Sequence, residues 1–176
     1  MSQSEKTVAM LGGSFDPVTL AHQALVWEGS RLFDIMHIVI GVNPAKKYLL
    51  DDNRDDLVRA VVDDMRIKGC KVHVHRLQGR LLAHLATELG VTHLLRGVRD
   101  SVDFAYEEKA TAFNRKIIPN IRTMYLRLPD MDDVSSSAVK EAFGLDGWES
   151  VVAPMVHPLV LDALRRKHLA NLKLAA

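Results

Sequence analysis

Cysteine is almost missing from these 176 residues: Cys70 stands alone. One thiol excludes an intrachain disulfide framework and any multi-cysteine zinc site. An excess of one charge is missing too. Twenty-three Lys and Arg against 22 Asp and Glu leave a net +1, which gives no support to a generic nucleic-acid or membrane-binding surface. No apolar run reaches the roughly 20 residues that a membrane helix requires. The N-terminal Met1-Ser2-Gln3-Ser4-Glu5-Lys6 has no apolar core of a secretory signal. A cytoplasmic protein with no nucleic-acid or membrane partner is expected, its residues 1–6 flexible. Repeats, linkers and composition shifts are also lacking, so residues 1–176 are expected to form one domain. What remains, 48% hydrophobic and 26% charged, is the composition of an ordinary globular chain.

Two periodicities alternate along that chain. Thr7–Leu11 is a short apolar run ending at Gly12-Gly13 and reads as a buried strand. From about Pro17 to Phe33 the pattern turns helical, with Ala21, Ala24, Leu25 and Leu32 on one face. His37–Val42 is a second strand; Leu57, Val58, Val61, Val62 and Met65 form a helical stripe with Gly69 as its expected C-cap. Val72–His75 reads as a weaker strand, Leu81–Leu89 as a helix stopping at Gly90, and Val91–Leu95 as a fourth strand. Tyr106, Ala110, Phe113 and Ile117 mark a helix ended by Pro119. Thr123–Leu126 is a fifth strand, followed by short helices from about Ser136 and Pro158, the last leading into a C-terminal tail over 158–176. Five strands separated by helices predict an α/β fold: one parallel sheet with helices on both faces. Ligands of such sheets bind beyond the carboxyl ends of the strands.

Four polar clusters fall in that place. Gly12-Gly13-Ser14-Phe15-Asp16-Pro17 follows strand one, and His22 lies about one turn into the next helix. Glycines let a ligand approach the backbone, and helix-start amides favour phosphate oxygens. The bland alternative is a glycine turn with a helix cap at Asp16 and Pro17 as first helical residue. The segment is neither a Walker loop nor the dinucleotide G-x-G-x-x-G. Asn43-Pro44-Ala45-Lys46-Lys47 follows strand two, where Lys46 can bridge anionic oxygens or simply be solvated. Arg96-Gly97-Val98-Arg99, with Asp103 and Glu107 beyond, offers guanidinium forks that suit oxyanions; a surface Arg–Asp pair is the alternative. Ser135, Ser136 and Ser137 offer hydroxyls to phosphates, though serines also cap helices.

Other residues carry plainer readings. His73 and His75 lie two apart on one strand face without an obvious third ligand, so no metal site is expected there. Cys70 reads as a small buried hydrophobe. Arg165-Arg166-Lys167-His168 reads as a solvated helix C-terminus complementing the dipole.

Taken in order, the four clusters resemble one family. Gly-Ser-Phe-Asp-Pro-x-Thr-x-x-His, Asn-Pro-x-Lys-Lys, Arg-Gly-x-Arg-x-x-x-Asp-Phe-x-Tyr-Glu and Ser-Ser-Ser-x-x-Lys-Glu are similar to bacterial phosphopantetheine adenylyltransferases over about residues 7 to 165. The glycine segment alone also suits mononucleotide adenylyltransferases; the stretch Arg96–Glu107 is the discriminating one. The resemblance implies a Rossmann-like nucleotidyltransferase fold and adenylyl transfer from ATP to 4′-phosphopantetheine with Mg²⁺. It also implies a homohexamer and feedback inhibition by coenzyme A. By the same resemblance His22 and Lys46 are catalytic, and Ser14, Lys46, Leu82 and Arg96 bind the acceptor. ATP falls to Ser14, Phe15, His22, Gly97, Val98, Arg99, Glu107, Met131, Asp132, Asp133, Val134, Ser135, Ser136 and Ser137. Mg²⁺ is carried mainly by the ATP phosphates. The chain departs from the family pattern at Ala21, Arg80 and the acidic Asp130, Asp132 and Asp133.

Overall fold

The central strands of a parallel sheet, buried on both faces, must be apolar, whereas the two edge strands stay part-exposed, and the runs of this sequence become five strands in all. They are β1 (Val8–Gly13), β2 (Ile35–Gly41), β3 (Lys71–Leu77), β4 (His93–Val98) and β5 (Arg122–Arg127). A computed structural model describes residues 6–43, 45–50 and 53–175. Residues 1–5 of the expected flexible N-terminus, and Pro44 of the second cluster, lie outside them. All neighbouring strands are parallel, in the order β3-β2-β1-β4-β5. The chain therefore winds outward from β1 to β3, then crosses back to lay β4 on the other side of β1. That reversal opens a crevice beyond the C-terminal ends of β1 and β4.

Side-chain alternation sends Leu11, Ile38 and Ile40 to one face of the sheet. There they pack with Leu25 and Val26 of α1 (Leu20–Ser30), Val58 and Val61 of α2 (Arg54–Asp64) and Val160 and Leu164 of α7 (Pro158–Ala175). Met10, Val39 and Leu94 point the opposite way, onto Leu85 and Ala86 of α3 (Leu82–Glu88). Helices thus cover both faces, as expected. Each fully buried Leu, Ile or Val stabilises the fold by about 1.5–3 kcal/mol. The remaining helices are α4 (Ser101–Ile117), α5 (Ser136–Ala142) and α6 (Trp148–Val152). Among the described residues no helix is long and apolar enough to cross a membrane.

Several local expectations change. Helix α1 starts at Leu20 with Thr19, in extended backbone, as its N-cap. Asp16 is buried and spends its carboxylate on the N–H groups of Leu49 and Leu50, so it caps nothing; Pro17 follows a cis peptide outside the helix. The inward face of α1 is Leu25, Val26 and Gly29, while Leu32 lies past its end and is exposed. Helix α2 stops at Asp64 with Met65 as its C-cap and Arg66 (φ 48°) left-handed just beyond; Gly69, expected as the cap, is also left-handed (φ 87°) but lies in the turn that follows. Strand β3 matches β2 in length, at seven residues, but lies at the sheet edge with none of its residues buried. Helix α7 runs on to Ala175, so Arg165–His168 sit mid-helix. Arg165 pairs with Glu149 and Asp162, and His168 packs against Phe143 and Trp148. Cys70 is buried, and burial pushes its thiol pKa up.

Helix α4 forms where Tyr106–Ile117 mark it, with its polar side buried. Its apolar stripe faces outward, with Tyr106 70% and Phe113 55% exposed, and its buried residues are Thr111 and Asn114. The Tyr125 hydroxyl of β5 meets that inward side, donating to the Glu108 carboxylate and accepting from the Thr111 hydroxyl at 3.0 Å.

Candidate active site

A cavity of about 330 Å³ occupies the crevice. One wall is the end of β1 and the turn that follows, from Leu11 to Phe15; the facing wall is Arg96–Arg99 at the end of β4. The start of α1 and the Val134–Ser137 stretch close it. Glycines fit the contact points of these walls. A Cβ on Gly97 would meet Leu25 Cδ1 at 2.5 Å, and one on Gly13 would meet the Phe15 ring at 3.2 Å.

His22 is the third residue of α1, one turn in from the cap. Its Nδ1 accepts the Thr19 backbone N–H at 3.1 Å and lies 2.8 Å from Thr19 Oγ1. Burial, then the positive charge of Arg99, lowers its pKa to about 4. With Nδ1 used as acceptor on a neutral ring, the proton resides on Nε2. His22 therefore presents a neutral N–H donor in the cavity wall, beside the positive end of the α1 dipole. Its ring packs 4.9 Å from that of Phe15, which is 2% exposed and belongs to the core. Phe15 (φ 47°) turns the chain sharply after β1, so the backbone of this turn is what it offers a ligand.

Carboxylates hold Arg96 of β4 and Arg99 just beyond it at the cavity edge. Arg96 Nη1 donates to Gly12 O at 3.4 Å, and its Nε lies 3.5 Å from Glu107 Oε2. Both of those last two atoms are buried without a hydrogen bond among the described residues. The Arg99 backbone N–H and Nε both donate to Asp103 Oδ2. Arg127 adds a support that the sequence reading missed: its Nε donates to Arg99 O at 2.8 Å, and its Nη2 to Asp132 Oδ2 at 2.7 Å. No local signal marks Arg127, because it meets Arg99 only once β4 and β5 pair. Of the three serines, Ser135 caps α5 by accepting from Ala138 N–H and Ser136 donates to Pro17 O.

The cavity brings together Ser14, Phe15, His22, Arg96, Gly97, Val98, Arg99, Glu107, Met131, Val134 and the three serines, with Thr19, Leu25 and Leu126 as wall residues the sequence did not single out. Four expected site residues stand outside this lining. Leu82 packs over Gly12, where an added Cβ would meet it at 3.3 Å. Lys46 is exposed on the turn after β2. Asp132 is tied to Arg127 and Asp133 is exposed. Arg80, also outside, pairs with Glu88.

The residues present do not make a dedicated metal cage. Asp103 and Glu107, the cavity carboxylates, face Arg99 and Arg96. His73 and His75 do gain a third histidine, His37, whose Nδ1 lies 2.9 Å from His75 Nε2. Even so, no group of three or more His, Cys, Asp or Glu among the described residues is placed to hold an ion.

Comparison with known proteins agrees with this architecture. The family model described as cytidylyltransferase-like matches residues 10–142. The phosphopantetheine adenylyltransferase of Chromobacterium violaceum is 34% identical over 146 residues, 82% of this chain and 87% of that protein. The protein of the same name from Streptococcus suis is 31% identical, covering 90% of this chain and 95% of its own. In fold, the solved Plasmodium falciparum nicotinic acid mononucleotide adenylyltransferase complexed with NaAD aligns with a TM-score of 0.69 at 17% identity, over 95% of this chain and 98% of that one. The switch-point crevice lies within the matched segment, and the chain belongs to the cytidylyltransferase-like family, among its phosphopantetheine adenylyltransferases.

Proposed function

We infer that this chain transfers the adenylyl group of ATP to 4′-phosphopantetheine, forming dephospho-coenzyme A and releasing pyrophosphate. The observation that carries the mechanism is that His22, its Nδ1 engaged by the Thr19 N–H, lines one cavity together with Arg96 and Arg99. The acceptor is already an oxyanion, so its phosphate oxygen attacks the α-phosphorus directly. The bond from that phosphorus to the bridging oxygen breaks, and its electrons leave with pyrophosphate. Neither a general base nor a covalent intermediate is required; alignment and charge stabilisation carry the rate.

In this reading His22 donates to the α-phosphate oxygens as their charge grows, and Arg99 and the serine stretch hold the β- and γ-phosphates. Arg96 and Lys46 receive the acceptor phosphate, Ser14 touches both substrates, and Leu82 lies along the pantetheine arm. Gly97, Val98, Glu107 and the stretch Met131–Val134 complete the ATP side. Asp103 and Glu107 hold the arginines extended until phosphates compete for them. The ATP phosphates rather than protein side chains would hold Mg²⁺, which would supply charge neutralisation for the leaving pyrophosphate. The outward apolar stripe of α4 supports self-association, which we read as a cytoplasmic homohexamer inhibited by coenzyme A. Pyrophosphate release from ATP, measured with 4′-phosphopantetheine and with nicotinate mononucleotide separately, tests the acceptor. A higher kcat/KM for the mononucleotide overturns it.

A further inference from the structure

Arg54, first residue of α2, is 1% exposed. A buried guanidinium is costly unless its donors are used, and here they bridge two strand ends. Nη1 donates to Ser14 O at 2.8 Å and to Gly41 O at 3.3 Å, joining the turn after β1 to the end of β2. The guanidinium carbon also sits 3.6 Å from the centroid of the Tyr48 ring. Tyr48 passes the constraint on. Its hydroxyl accepts the Asn43 N–H at 2.7 Å. Asn43 in turn closes the turn that carries Lys46: its carbonyl accepts from Lys46 N–H at 3.0 Å and its Oδ1 from Ala45 N–H at 2.9 Å. A chain of contacts thus runs from the Ser14 carbonyl, through Arg54 and Tyr48, to the backbone of Lys46.

We propose that Arg54 and Tyr48 are positioning residues for the acceptor: the stacked pair fixes the Lys46 turn relative to Ser14, so that the acceptor phosphate is offered in line with the α-phosphorus. Neither side chain touches substrate. The inference rests on the reading of Lys46 as an acceptor-phosphate ligand. Two polar groups on separate loops bind one small anion well only if their separation is set beforehand. Asp16 serves the same loop from its far side by accepting the N–H groups of Leu49 and Leu50, so the segment is anchored at both ends.

Tyr48→Phe keeps the ring and its stack and removes only the hydroxyl that accepts from Asn43. Its melting temperature and KM for ATP are expected to stay near the parent values. The kcat/KM for 4′-phosphopantetheine is expected to fall about three- to tenfold, the scale of one lost hydrogen bond. A cycle with Lys46→Ala separates the claims. Positioning predicts that Tyr48→Phe has no further effect once Lys46 is gone. If Lys46→Ala alone leaves acceptor kinetics unchanged, the reading of Lys46 fails and the inference falls with it. If Lys46→Ala is slow but Tyr48→Phe keeps its full effect in that background, or affects ATP and acceptor equally, Lys46 stands and the positioning role is overturned. Arg54→Lys, which keeps the charge and loses the planar fork, is expected to raise the KM for the acceptor more than that for ATP.

Discussion

Thr19 and His22 satisfy each other across the first turn of α1, with the Thr19 N–H donating to His22 Nδ1 at 3.1 Å and Thr19 Oγ1 at 2.8 Å from the same nitrogen. The pair caps the helix and also chooses the tautomer of the imidazole. A capping interaction normally serves stability alone; this one turns Nε2–H into a fixed donor in the wall of the cavity. Because burial and Arg99 hold the ring neutral down to about pH 4, the donor does not change character across the physiological range.

His22→Ala is therefore expected to lower kcat by roughly 10²–10³, the scale of one preorganised oxyanion donor. Loss of the cap costs about 0.5–2 kcal/mol of stability, a modest fall in melting temperature, and the Kd for ATP moves little. Nitrogen-15 spectra of the imidazole are expected to show a protonated Nε2 and a bare Nδ1 from pH 5 to 8. A kcat within a few-fold of the parent enzyme removes His22 from the chemistry.

Stability is expected to fall on mild acidification. His22 and His37 both have folded-state pKa values of about 4, His22 through burial and Arg99, His37 through burial and the neighbouring His75 and His73. Between pH 4 and 6.5 the unfolded chain binds the extra protons, so stability rises with pH through that window and is lost as pH falls through it. The urea midpoint measured from pH 6.5 down to 5 is expected to drop steadily, and His37→Gln to flatten the slope. An unchanged slope in that variant assigns the loss elsewhere.

The strands were legible because a parallel sheet buried on both faces demands unbroken apolar runs, which β1 and β2 supply. The order of the clusters was legible for a related reason: each follows a strand, and strand ends are where this topology gathers side chains. Features made by pairing were not. His37 and His73 are register neighbours only because β2 lies beside β3, and Arg127 reaches Arg99 only because β5 lies beside β4. The facing of α4 was not legible, for a physical reason. Period 3.6 locates an apolar stripe but not its partner, and here the core takes the Thr111–Asn114 side while Tyr106 and Phe113 look outward.

That stripe yields a prediction about assembly. Phe113→Asp places a charge on a surface that is half exposed in a single copy, so the folded monomer tolerates it. Its far-ultraviolet circular dichroism is expected to match the parent. Sedimentation is expected to show a smaller species than the parent protein at equal concentration. Identical sedimentation would place any contact between copies on another surface.

Gly97 and Leu25 make the tightest such point in the site. Gly97 lies in β4 directly after Arg96 and two residues before Arg99, and a Cβ there would stand 2.5 Å from Leu25 Cδ1 and 3.2 Å from Cδ2. Leu25 is itself buried, one turn beyond His22 on α1, and the one space it borders is the cavity. Gly97→Ala must then displace either the leucine or the helix. Overpacking of this kind costs about 1–3 kcal/mol, and a shift of α1 carries the Thr19–His22 pair out of its place in the cavity wall. The variant is expected to lose stability in urea and at least tenfold in kcat/KM for ATP. Leu25→Ala alone leaves a hole and costs about 2–5 kcal/mol. The double variant is expected to cost at least about 1 kcal/mol less than the sum, because the new methyl group fills space that the leucine vacates. Strict additivity across the four proteins, with kcat/KM for ATP unrestored in the double variant, would show that α1 does not rest on Gly97.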